Sequence, residues 1–370
     1  MEKVLKVQDR DKSRQDFLTL LRSGIGCKTA YSLANVDWEK VKVLALQQVL
    51  FSVVADGVGH LPLDARPPEM ELFQWIAMVS QDENRFDIQH NSAVQMAELF
   101  HENGIRTYVL KGETVSECYP KPKHRFSADC DCFLLSENGN EDAWSKGNDL
   151  IQAAGNEVDI GFYKNSTFHL PGLGVENHMF MTPFRGNKVL TRLEKLLQKM
   201  MREDLNASDL ESRRFEGTWL YRPPIMVSAL FLIEHAYSHF LHEGLTWRHV
   251  LDWAMFKREH QDDINWSELN ARIDEFGFRK FYDSYERLGK YLLGEITETD
   301  LSERDKMMLA DVWEDLDLHE TVQGAKGKLA LVGNTIRARW KYRHFAEISM
   351  IHALWIQVKG VLLNRHPKLD

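Results

Sequence analysis

A chain of 370 residues exceeds one typical domain, and its globular composition (44% hydrophobic, 27% charged, 11% aromatic) excludes wholesale disorder. A net charge of −9 argues against a general nucleic-acid-binding surface, so no specific nucleic-acid partner is expected. Four cysteines in so long a chain make no disulfide framework, no apolar run has signal-peptide length or membrane-span length, and a cytoplasmic protein is expected.

The first hundred residues read as helices. Apolar positions recur at three- and four-residue spacing over residues 16–21, 41–54 and 71–79. Gly57, Gly59, Pro62 and the Pro67-Pro68 pair read as breaks, and a longer helix over 83–102 stops at Asn103-Gly104. At residue 105 the character changes. Ile105 to Leu110 is short and β-prone and runs into Lys111-Gly112-Glu113; residues 113–119 suit two helical turns ended by Pro120. A second strand is expected over 126–135, a helix over 144–154 and a third strand over 157–163, with two more near 168–170 and 175–181. The helical period then returns at 190–201, 225–241, 247–256, 266–276 and 301–318. The expected class is α+β, a small mixed sheet (101–185) between an N-terminal helical region (1–100) and a C-terminal helical domain (186–370).

Asp129 and Asp131 carry the chemistry. On a strand, alternate side chains share a face, so both carboxylates project to one side while Cys130 and Cys132 point to the other. Two acids that close repel unless a divalent cation sits between them, the requirement of phosphoryl or nucleotidyl transfer. Glu176, in an otherwise apolar strand, is the candidate third carboxylate, and His178 shares its face. Gly112 lets backbone approach a phosphate closely, and Lys111 and Arg125 add positive charge.

The order Gly104 to Lys111-Gly112, Tyr119-Pro120, Arg125, Asp129-Cys130-Asp131, then Glu176-Asn177-His178 resembles an uncharacterised bacterial nucleotidyltransferase family. That family sits in the polymerase-β-like superfamily, related to aminoglycoside nucleotidyltransferases. The helices holding His235, His239, Trp247 and Asp252 also look similar, so the resemblance spans about residues 85–295. It implies that Asp129, Asp131 and Glu176 are catalytic and hold Mg²⁺, and that Lys111, Gly112 and Arg125 take the triphosphate of an NTP, ATP the expected donor. The acceptor would be a small molecule or a protein. Glu113 departs from the superfamily's usual Gly-Ser turn and puts a negative charge near the phosphates, which motivates the alternative of an inactive nucleotide-sensing or protein-interaction module.

His235, His239 and His242 fall on one helix face; structural or substrate-orienting roles are favoured over a transition-metal site, and Asp252 is expected in capping or core pairing. Residues 295–320 carry ten acidic and two basic side chains, and 321–370 carry nine basic and two acidic. Mutual packing or a solvated surface is favoured there, with peripheral contact to an anionic surface as the alternative.

Overall fold

The computed structural model describes residues 2–28, 33–137, 142–160, 163–184, 186–314 and 338–362, with side chains described only within 11–356. The N-terminal helices are α1 (Glu2–Gly24), α2 (Trp38–Gln47), α3 (Phe51–Gly59) and α4 (Glu69–Glu102). The sheet region follows with β1 (Ile105–Val109), α5 (Glu113–Ser116), β2 (Asp129–Ser136), α6 (Ala143–Ala153), β3 (Val158–Asp159), β4 (Asn165–Leu170) and β5 (Leu173–His178). After α7 (Lys188–Asp204) and β6 (Leu220–Tyr221) come α8 (Ile225–His242), α9 (Trp247–Glu259), α10 (Trp266–Glu275), α11 (Arg279–Leu293) and α12 (Glu303–Trp313). The last described helices are α13 (Arg339–Phe345) and α14 (Met350–Leu362). Among the described residues, no helix is long and apolar enough to cross a membrane.

The expected α+β class holds. The strands form one mixed sheet in the order β3-β4-β5-β2-β1-β6. β2 at its centre runs antiparallel to β1 and parallel to β5, and β4 closes a tight antiparallel hairpin onto β5. The edge strand β6 pairs in parallel with β1 and comes from beyond residue 185. Two residues of strand have too weak a period to be read, so β6 is invisible in the sequence.

Alternation along β2 sorts the two faces. Cys130, Cys132 and Leu134 pack with Ala93, Met96 and Phe100 of α4 and Ile151 of α6 in one apolar cluster. Phe133 and Tyr108 face the other way, into the larger core that α7, α8 and α9 share with α1 and α3. The cysteines are therefore buried free thiols, and the two aspartates look toward the C-terminal helices.

Three helical expectations change. Residues 71–79 and 83–102 belong to one 34-residue helix, α4, because the polar run at 80–83 contains no Gly or Pro to stop it. Residues 41–54 form two helices, parted where Val49 adopts φ +58°. Gln48 fixes that break: its side chain donates to Val312 O (3.0 Å) and accepts from Trp247 N (2.7 Å). Gly57 is a packing residue inside α3, since a Cβ there would lie 2.0 Å from Leu20 O of α1. Helix α11, unread in the sequence, buries Phe281, Tyr285, Leu288 and Leu292 beside α9.

The expected helix over 301–318 is seen to Trp313; its remainder lies outside the described residues. Lys341 of α13 pairs with Asp311 of α12 (2.6 Å), so the basic and acidic segments do meet in part.

Candidate active site

β2 and β5 build the acidic centre by register. Their parallel pairing sets Asp131 opposite Glu176 and Phe133 opposite His178. His178 Nε2 donates to Asp131 Oδ1 (2.9 Å) and lies 3.5 Å from Glu176 Oε2, while Nδ1 donates to Phe180 O (3.2 Å). Burial and Lys164 work against a charged ring, but Asp131 and Glu176 outweigh them and raise its pKa. His178 thus bridges two carboxylates. Burial would push Asp131 up; the His178 contact and the nearby lysines pull it below the usual carboxylate range instead. Asn165 of β4 donates to Glu176 Oε2 (2.8 Å) and steadies the third acid.

Asp129 behaves differently. Burial, then the charges of Asp131 and Glu176, push its carboxyl above the usual range, and Lys111 and Arg248 offset them only in part. Among the described residues its side chain makes no hydrogen bond or ion pair. The ligand atoms of Asp131, Glu176 and His178 lie within 4.8 Å of one another, and Asp129 stands two residues before Asp131 on the same face. The carboxylates of Asp129, Asp131 and Glu176 are hard oxygen donors of the kind that suits Mg²⁺.

The turn after β1 lies beside this centre. Leu110 N donates to Asp131 O (2.9 Å), the last link before the chain leaves the sheet. Gly112 then takes φ +66° and ψ −114°, a conformation that favours glycine. Helix α5 is only four residues long, so the anion-binding potential of the turn rests on its amides and not on a macrodipole.

The side chains of the turn are distributed more widely than expected. Lys111 is buried and donates to His235 Nε2 of α8 (2.7 Å); burial, then the charge of Arg248, lowers its pKa to about 8. Glu113 accepts from His90 Nδ1 of α4 (3.0 Å), which raises the His90 pKa. Arg125 is 1% exposed and forms two 2.8 Å bonds to Asp252 of α9, while its Nη1 donates to Gly112 O (3.3 Å). Tyr119 donates to the same Asp252 (2.7 Å). Asp252 is therefore in core pairing as expected, with an arginine and a tyrosine and not with the α8 histidines. Its pair ties the C-terminal helices to the Gly112 turn.

Three groups escaped sequence reading. Arg248, in the first turn of α9, donates to Phe126 O (3.2 Å), and its Nε is buried without a partner; its charge reaches Asp129. The charge of Lys164 bears on Asp131, His178 and Glu234. Glu234, buried on α8, is pushed up to about 7 by burial. No short-range motif marks them, although Arg248 and Glu234 stand beside the histidines of α8 and α9. Those histidines also regroup. His242 donates to Ser238 O (2.8 Å), and His249 of α9 replaces it beside His235 and His239.

A family model described as an uncharacterised nucleotidyltransferase matches residues 34–294. No curated protein and no solved structure gives a match. The matched span runs from just before α2 to just past α11 and takes in all six strands, both aspartates, Glu176 and the helices that carry His235 and Asp252. By that match, over most of its length and every residue of its acidic centre, the chain belongs to this family of nucleotidyltransferase enzymes.

Proposed function

We propose that the protein moves a nucleoside monophosphate from an NTP, with ATP as the donor, to a hydroxyl group of a small-molecule or protein acceptor and releases pyrophosphate. The observation that carries this reading is the register of β2 against β5, which gathers Asp129, Asp131 and Glu176 at one end of the sheet, with Asp129 in no ion pair among the described residues. Mg²⁺ held by these three carboxylates would supply charge neutralisation and Lewis acidity at the phosphates.

The chain's own residues do the rest. Gly112 brings backbone amides to the phosphates, and Lys111 and Arg248 supply the mobile or unpaired positive charge. Arg125 acts through Gly112, holding the turn by its carbonyl. His178 fixes the Asp131 and Glu176 carboxylates in one orientation. Glu176, with a side chain 37% exposed, accepts the proton of the attacking hydroxyl. A bond forms between that oxygen and the α-phosphorus, and the bond to the pyrophosphate oxygen breaks. The unusual Glu113 is answered by His90 and does not point an uncompensated charge at the phosphates. Helices α8 and α9 face the centre and form the wall against which the acceptor lies. Four free thiols suit a reducing cytoplasm.

The test is pyrophosphate release from MgNTP with a panel of hydroxyl acceptors. Wild-type protein is expected to turn over, and Asp131→Asn to lose at least about 10³-fold in rate, since a ligand for the reaction's charge is removed. Turnover that survives both Asp129→Asn and Asp131→Asn would overturn the assignment.

A further inference from the structure

Beside Lys111, three histidines converge. His235 and His239 are one turn apart on α8, and His249 stands in the first turn of α9. One ring nitrogen from each lies within 4.8 Å of the other two, with ring centroids 4.4 Å apart for His235–His239 and 5.0 Å for His239–His249. We propose that His235, His239 and His249 form a second metal site, distinct from the carboxylate centre, that takes a divalent transition-metal ion of the Zn²⁺ class.

His239 already makes the outer contact such a ligand needs. His239 Nδ1 donates to Glu243 Oε2 (2.7 Å), so its Nε2 lone pair is the one left to ligate. His249 Nδ1 accepts from Thr246 N (3.2 Å) and lies 2.9 Å from Thr246 Oγ1, so the neutral ring carries its proton on Nε2. Ligation at Nε2 moves that proton to Nδ1, where Thr246 Oγ1 accepts it, and Thr246 N gives up its bond to the ring. The donor set is soft enough to reject Mg²⁺, and three imidazoles leave a fourth position open.

A cation already stands at the cluster: the Lys111 ammonium, 2.7 Å from His235 Nε2. Lys111 and Arg248 raise the local positive potential, so the ion binds by displacing Lys111 from His235. The displaced ammonium then turns toward Asp131, whose charge it already feels.

The experiment is a Co²⁺ titration of metal-stripped full-length protein in excess Mg²⁺, followed by visible absorption, with Zn²⁺ competition read by calorimetry. About one equivalent of Co²⁺ with intense tetrahedral absorption bands is expected, displaced by Zn²⁺. Binding should persist in Asp131→Asn, weaken about tenfold in Glu243→Gln, and disappear in His239→Ala. His239 is partly exposed, so that variant should stay folded by its thermal melt. Absence of the bands in wild type, or binding that survives His239→Ala and vanishes in Asp131→Asn, would overturn the proposal. Neither outcome depends on nucleotidyl transfer.

Discussion

Arg248 shows how much can hang on one side chain. Among the described residues its buried Nε has no hydrogen-bond partner, and its charge reaches Asp129, which supports the proposed phosphate-binding role. A charge-assisted hydrogen bond contributes about 1.5–3 kcal/mol, so Arg248→Ala is expected to raise the KM for NTP by about 10- to 100-fold. Steady-state kinetics with an unchanged thermal melt would bear this out; an unchanged KM would remove Arg248 from the phosphate site. His124 offers a pH test away from the carboxylates. It sits in the turn before β2, with Nδ1 2.7 Å from Asp56 of α3 and Nε2 3.0 Å from Glu83 of α4. Burial disfavours its charged form, but the two acids outweigh burial and raise its pKa in the folded chain. A raised folded value means the imidazolium contributes stability in full below the unfolded value of about 6.5, and that contribution fades as pH rises through the folded value. The stability gap between wild type and His124→Gln should therefore be wide at acid pH and close in alkaline buffer. Urea denaturation at several pH values measures it, and a gap that widened with pH would contradict the pairing.

At the scale of elements, the Arg125–Asp252 pair joins the loop before β2 to α9, and Tyr119 completes it. Both charged partners are almost fully buried, so removing one leaves the other uncompensated. Asp252→Ala is expected to cost about 3–5 kcal/mol in denaturant unfolding, and removing Arg125 as well should recover part of the loss. Losses that simply add in the double variant would mean that the pair is not the link. The Arg125 position was legible as a charged residue ahead of an Asp-x-Asp strand, but its partner was not, because 127 residues separate the two. The same limit hid His249. Helical spacing places His235, His239 and His242 on one face, while α9 crossing that face decides which third ring approaches.

For the molecule as a whole, the sheet is not a self-sufficient unit. Tyr108 and Phe133 on its second face belong to one core with Phe17 of α1, Phe231 of α8 and Phe345 of α13. A fragment of residues 101–185 lacks β6 and leaves that face uncovered. It should therefore show no cooperative unfolding transition by circular dichroism, whereas the full chain unfolds cooperatively. A folded fragment with native-like dispersion in NMR would show that the sheet stands alone.

Local pattern determined a good deal about this protein. The strand–turn–strand order, the shared face of Asp129 and Asp131, the inward cysteines and most helices follow from periodicities of two and 3.6 and from glycine's access to positive φ. Tertiary structure decided what those residues meet. Packing of α8 and α9 onto the sheet sent Lys111 to His235 and Arg125 to Asp252, and packing of α4 sent His90 to Glu113, each across a span that no local period encodes. Backbone chemistry chooses which way a side chain faces, and only the packed fold brings it a partner.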